Sequence, residues 1–337
     1  MRRRMSMTVA AAMAAMTFVL AGCASSYQAP TAPLAPGETA AAAEADEGRE
    51  NLTPITVGVL PIVDVAPLYL GVEKGIFEDH GIDLTIDVAA NGGDIINNVL
   101  SRRWQFGFSN VLSIVSAGTS TGNIKVVAAG NYSSGDPAKD FGAIVVPATS
   151  SIQDVGDLAG KKVAVNAKQG LLEATVRRVV DAGGGNSGTL SFEPMGFGAM
   201  PDALTAGTVD AAFIVEPLLS VAKAQGAREL PNSSFGTVDP NLMIAAYFAS
   251  NDLTVTDPEI VEQFADAMNE SLGMASRDPE AARAVLDSYT KIDAEVKAAM
   301  TLPKWSPVIS KDSAVLLSGL AGTYFQMKIN PDLSFPS

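Results

Sequence analysis

From residue 56 onward, short β-branched apolar runs alternate with longer windows in which apolar positions recur every three or four residues. Thr56 to Leu60 is the first such run, and Pro61 ends it, as expected of a strand that stops there. Ala66, Leu68, Tyr69, Leu70, Val72 and Phe77 then fall in one helix-sized window, with Pro67 near its first turn, where a missing amide costs nothing. Gly75 is placed to end that helix, and Gly81 leads into the alternation of Ile82, Leu84, Ile86 and Val88. Strand, crossover helix and parallel strand make a βαβ unit, whose ligands bind beyond the carboxyl ends of the strands. The loop at 61–66 lies at such an end.

The same rhythm continues. A helix is expected at 95–102, a strand at 104–109, a helix at 111–117 and a strand at 124–129 that runs into a turn-rich loop at 130–135. A second βα series follows, with strands at 163–165, 190–193 and 211–215 and helices at 171–182, 199–206 and 218–225. The apolar segments at 141–147 and 242–249 share one character and read as a pair of hinge strands between two lobes. Beyond Asp257 the pattern is helical, at 258–277, 279–289, 294–301 and 311–327. Strands alternating with helices predict α/β lobes with largely parallel sheets.

These segments resemble a known family, the periplasmic-type solute-binding proteins of ABC importers, in the branch that handles sulfonates, nitrate and thiamine-precursor pyrimidines. The likeness is carried by the apolar strand before A-P-L-Y-L at Ala66 to Leu70, K-G-I-F at Lys74 to Phe77, and G-I-D-L at Gly81 to Leu84. It extends through DLAGKKVAV at Asp157 to Val165, ALTAGTVDAAFIVEP at Ala203 to Pro217, and the helix after Asp257-Pro258. It implies an α/β, two-lobed periplasmic binding protein fold of type II, with two crossover hinge strands and C-terminal helices. The expected division is 53–141 with 247–337 as the first lobe and 142–246 as the second. A ligand held in the cleft between them, and an importer permease with its ATPase as partners, are what the resemblance implies.

Length and composition fit this reading: 337 residues suit two domains, and 47% hydrophobic with 18% charged residues is globular. A net charge of −14 makes nucleic acid an unsuitable partner and says nothing of the ligand. The amino-terminal stretch changes the picture more. Arg2, Arg3 and Arg4 precede an apolar run at 9–20, and Leu20-Ala21-Gly22-Cys23 matches the lipobox of bacterial lipoproteins. The expectation is a signal peptide at 1–22, a lipid-modified Cys23 anchoring the protein to the extracytoplasmic face of a bacterial membrane, and a flexible tether over 23–52. The tether would let a monomeric body stay near its membrane partner. Cys23 is also the one cysteine, so an intramolecular disulfide is excluded.

Catalytic chemistry is poorly provided for. There is one histidine, His80, expected in a surface turn, and there is no nucleophile elbow, Walker loop or metal-ligand spacing. No cofactor and no metal are expected. A pyrimidine-processing enzyme of the same fold, or a surface sensor without transport, are the alternatives; the fungal pyrimidine synthase that resembles these proteins relies on a cysteine-rich motif, which this chain lacks. Binding candidates gather at the strand ends. Asn91-Gly92-Gly93 lets backbone amides approach a ligand at a helix start, or is a capped turn. Asn166 and Lys168 lie in the corresponding second-lobe loop, where Lys168 neutralises an anion or is solvated. Asn110, Asn131 and Tyr132 can donate and accept, and Phe197, Tyr69 and Tyr132 can stack on a ring or belong to the core. Asp64 either meets the ligand or caps the following helix, and Glu216 either faces the cleft or partners a buried amide. Two unpaired acids there would repel an anion and favour an amine or aminopyrimidine.

Overall fold

The computed structural model describes residues 52–89 and 91–335. The expected signal peptide, Cys23 and all of the tether before residue 52 lie outside the described residues.

Apolar alternation produces β1 (Thr53–Val59), β2 (Ile82–Val88), β3 (Phe106–Asn110) and β4 (Lys125–Tyr132). The chain then crosses to build β5 (Gly142–Pro147), β6 (Lys162–Val165), β7 (Ser191–Pro194), β8 (Ala211–Val215) and β9 (Ala227–Glu229). It returns for β10 (Met243–Ala249) and the two-residue β11 (Lys304–Trp305). Two sheets result, ordered β11-β4-β10-β3-β1-β2 and β7-β6-β8-β5-β9. β1 runs parallel to β2 and β3, as the βαβ reading expects, and β6 runs parallel to β7 and β8.

The two apolar segments read as hinge strands do not pair with each other. β5 is antiparallel to β8 and β9 in the second sheet, and β10 is antiparallel to β3 and β4 in the first. The crossings themselves are the stretches at 133–141 and 230–242, which lie outside both sheets, the second containing the short helix Phe235–Val238. They run side by side: Ser133 N donates to Leu242 O (2.9 Å), and Ser234 Oγ donates to Pro137 O (2.8 Å). Every residue of β10 is buried, with ladders on both edges, so the whole strand joins the first sheet. The expected lobe boundary at residue 246 falls inside it.

The opening helix divides in two. Gly75 adopts φ +74°, a conformation that strains residues with a Cβ, and the chain turns there from the helix Ala66–Glu73 into a second short helix, Ile76–Asp79. Against the first sheet lies the long helix Pro258–Arg277. Its Phe264 stacks on Phe106 with ring centroids 3.9 Å apart and meets Tyr247 edge-on. Phe235, from the second crossing, packs on Phe141 and Phe213 to close the core of the second sheet. The last helix, Lys311–Phe325, packs on the helix Val111–Thr121 of the first lobe and the helix Leu171–Ala182 of the second. No described helix is long and apolar enough to cross a membrane.

Candidate functional site

The carboxyl ends of β1, β2 and β3 face those of β6, β7 and β8, and two adjoining cavities lie between them. The outer, of about 200 Å³, is lined by Leu60, Pro61, Ile62, Asn91 and Gly92 from one side and by Asn166, Gly196, Phe197, Gly198 and Leu218 from the other. The inner, of about 40 Å³, shares Leu60, Ile62, Gly92, Asn166 and Phe197 and reaches down to Asp64, Ser109 and Asn110. Together they are smaller than the roughly 300–1,000 Å³ of drug-sized pockets, so they suit a small ligand. A larger groove, of about 810 Å³, lies beside β11 and is lined by Tyr132, Lys304 and Trp305 among others. No strand end of the second sheet reaches it, so we place the candidate site in the interlobe cavities, where two sets of strand ends converge.

Asp64 is the most unusual side chain there. It sits in the 3-10 turn Val63–Val65, is 3% exposed, and accepts a hydrogen bond from Asn131 Nδ2 (2.9 Å) on Oδ1. Its backbone carbonyl accepts from Trp305 Nε1 (3.2 Å). Oδ2 has no hydrogen-bond partner among the described residues, and neither has Asn131 Oδ1 or Asn166 Oδ1. Burial pushes the Asp64 carboxyl up to about 7, against the opposing effect of its own backbone amide and Asn131. The helix that begins at Ala66 has no side-chain cap, so Asp64 does not take the capping role.

The sequence candidates divide by where they fall. Asp64, Asn91, Gly92, Asn110, Asn166 and Phe197 line the cavities. Asn131 stands behind Asp64, fully buried. Asn91 Oδ1 accepts from Asp94 N (3.0 Å) and Asn110 Oδ1 from Ser113 N (2.9 Å), so both cap helices while facing the cavities. The other candidates lie elsewhere. Gly93 and Lys168 are exposed and line neither cavity. Tyr132 lines the larger groove and donates to Val308 O. The Glu216 carboxylate accepts from Ser220 N (2.9 Å), Ser220 Oγ (2.8 Å) and Thr301 N (3.3 Å), which is the partner-to-an-amide role. Its backbone carbonyl accepts from Val63 N (3.1 Å) across the lobes. Tyr69 stacks on Tyr289 at 3.9 Å, and His80 pairs with Glu270 at 3.1 Å, away from the cavities.

Sequence reasoning did not single out Ser109, which lines the inner cavity, or Asp140, which organises the crossings. Asp140, 2% exposed, accepts from Ser133 Oγ (2.8 Å), Ser134 N (2.8 Å), Phe141 N (2.9 Å) and, from the other crossing, Gly236 N (2.7 Å). No short-range pattern marks such a residue, since its partner Gly236 lies far along the chain. Among the described residues, no group of three or more His, Cys, Asp or Glu side chains is placed to hold a metal ion.

The family profile described as NMT1/THI5 like matches residues 62–282, well over half of the chain. The chain belongs to the NMT1/THI5-like family. A protein of Brucella abortus (strain 2308) with the provisional name of a binding protein, no ligand stated, is 24% identical over 263 residues, 75% of this chain and 78% of its own. Among solved structures, the ligand-binding component of an ABC-type import system from Staphylococcus aureus, with zinc bound, superposes with a TM-score of 0.71 at 15% identity, covering 84% of this chain and 96% of that one. The alkanesulfonate-binding protein SsuA from Xanthomonas axonopodis pv. citri, bound to MOPS, gives 0.69 at 18% identity, covering 84% and 98%. At these identities the structural matches show the fold, the two-lobed α/β fold of periplasmic binding proteins.

Proposed function

We propose that this NMT1/THI5-like protein is the extracytoplasmic solute-binding component of an ABC importer, which holds one small molecule between its lobes and hands it to a membrane permease. The observation that carries this reading is the pair of cavities lined from both sheets at once, by Leu60 and Gly92 on one side and Asn166 and Phe197 on the other. A ligand that touches both lobes favours the closed arrangement, because only there does it make all its contacts. Solved structures of the same fold that are named as import-system and sulfonate-binding proteins support it. Lipid attachment at Cys23 and a tether behind it complete the proposal, holding the body near its permease. A binding role in place of an enzymatic one is supported by the chemistry of the cavities, whose described lining offers amides, a hydroxyl and one carboxylate but no histidine or thiol.

The test uses the ligand the protein itself retains. Native mass spectrometry after gentle purification from its own cells identifies the bound mass; the compound is then removed and returned while small-angle scattering is recorded. Compaction on its return is expected, and an unchanged radius of gyration contradicts the reading.

A further inference from the structure

We propose that the interlobe site selects an uncharged or cationic ligand that directs an N–H group at Oδ2 of Asp64, and that it refuses anions. This rests on the cleft being the ligand site and adds the charge of what enters it. Asp64 is 3% exposed and lines the inner cavity, yet one of its carboxylate oxygens lacks a hydrogen-bond partner. A buried acceptor left open in this way is costly unless a ligand supplies the donor. No lysine, arginine or histidine is among the described residues lining either cavity, and Asp64 is their one ionisable member.

Helix amino-termini are the remaining means of holding an anion, and three begin at these cavities, at Gly92, Val111 and Leu171. Each already carries an acceptor. Asn91 and Asn110 cap the first two, and the third has Glu173 in its first turn, where Oε2 accepts from Gln169 N (2.8 Å) and Oε1 pairs with Arg177 (2.7 Å). What these termini still offer must be set against Asp64 in the same small space, whose carboxylate is a full charge above about pH 7. The groups whose charges act on Asp64 or respond to it do not reverse this. Asp140 is an acid of the same sign, while Tyr247 and Tyr289 have their phenols pushed well above the ordinary tyrosine range by burial and stay neutral. Asn131 is held against Oδ1 and therefore fixes which oxygen is left open.

Three probes of one shape separate the possibilities: benzamidine, a cation with N–H donors; benzamide, neutral with N–H donors; and benzenesulfonate, an anion. Each is titrated by calorimetry at millimolar concentrations into the tethered protein without its signal peptide, and into Asp64→Asn and Gly92→Leu. At pH 8, where Asp64 is ionised, benzamidine and benzamide are expected to bind and benzenesulfonate not to. Benzamidine should bind more tightly as pH rises through about 7, where Asp64 ionises. In Asp64→Asn the bond from Asn131 keeps the amide oxygen turned inward, so the amide nitrogen faces the cavity as a donor. Benzamidine should then weaken about tenfold or more, and its pH dependence should vanish. Binding of benzenesulfonate to the wild type, an unchanged benzamidine affinity in Asp64→Asn, or no binding of either N–H probe overturns the charge assignment. Gly92→Leu adds a side chain that starts 3.4 Å from Ser109 Oγ in the cleft and should abolish binding; a probe that binds it as well as wild type sits outside the cleft, which overturns the cleft reading itself.

Discussion

Asp64→Asn is expected to melt higher than the wild-type protein above pH 7 and together with it near pH 4. The carboxyl of Asp64 is raised in the folded protein from 3.8 to about 7 because burial disfavours its charged form. A raised acid contributes stability that is fully present below its unfolded value and is lost as pH rises through the folded one. Across that window the folded state holds a proton that the unfolded chain has released, so wild-type stability drains away while the amide variant is indifferent. A shift of about three units corresponds to on the order of 4 kcal/mol at pH 8 in the absence of ligand. Asn at this position still accepts the bond from Asn131, so the neighbouring packing is kept. Thermal melts of both proteins from pH 4 to pH 8 check it, and the difference between them cancels every other titration in the molecule. A constant offset across the range would mean that Asp64 is ionised throughout.

Removing the carboxylate of Asp140 is expected to destabilise the protein, in contrast to the change at Asp64. Asp140→Ala strips the acceptor from three backbone amides, those of Ser134, Phe141 and Gly236, and from the hydroxyl of Ser133. Each buried donor left open costs about 1–3 kcal/mol, and because the four share one carboxylate the total is about 3–5 kcal/mol. The loss is concentrated where the two crossings touch, since Asp140 and Gly236 belong to different crossings. Denaturant unfolding gives the magnitude. Hydrogen exchange gives the place, with faster exchange expected at Phe141 and Gly236 before the sheets loosen. Equal protection in the variant at those two amides would show that the crossings are held by something other than Asp140.

The fold was legible in the sequence wherever burial imposes a period. The run from Thr53 to Val88 reads as strand, helix and strand because its apolar positions repeat at two and then at three or four, and β1 pairs with β2 in register from end to end. Periodicity fails where an element is too short to show one. β9 and β11 have three and two residues, and the four-residue helix Phe235–Val238 owes its place to Phe235 filling the core of the second sheet. The candidate site was legible at the level of loops, because strand carboxyl ends in an α/β sheet face the ligand whatever the residues are. Which side chains line the cavities was legible in part: Asp64, Asn91, Gly92, Asn110, Asn166 and Phe197 do, whereas Gly93, Lys168, Tyr132 and Glu216 do not. Asp64 and Asn131 are 67 positions apart, and only the pairing of β4 with β10 and β11 brings Asn131 beneath the turn that carries Asp64. Glu216 looked equally suited to the cleft, but Ser220, one helical turn on, takes its carboxylate first.

A crystal structure of the protein with the ligand it carries from its own cells tests the central claim most directly. The account predicts density between Asp64 and Asn166, against Phe197, touched by both lobes and with a nitrogen facing Oδ2 of Asp64. Density confined to the groove beside Trp305, or contacts from one lobe alone, would contradict it.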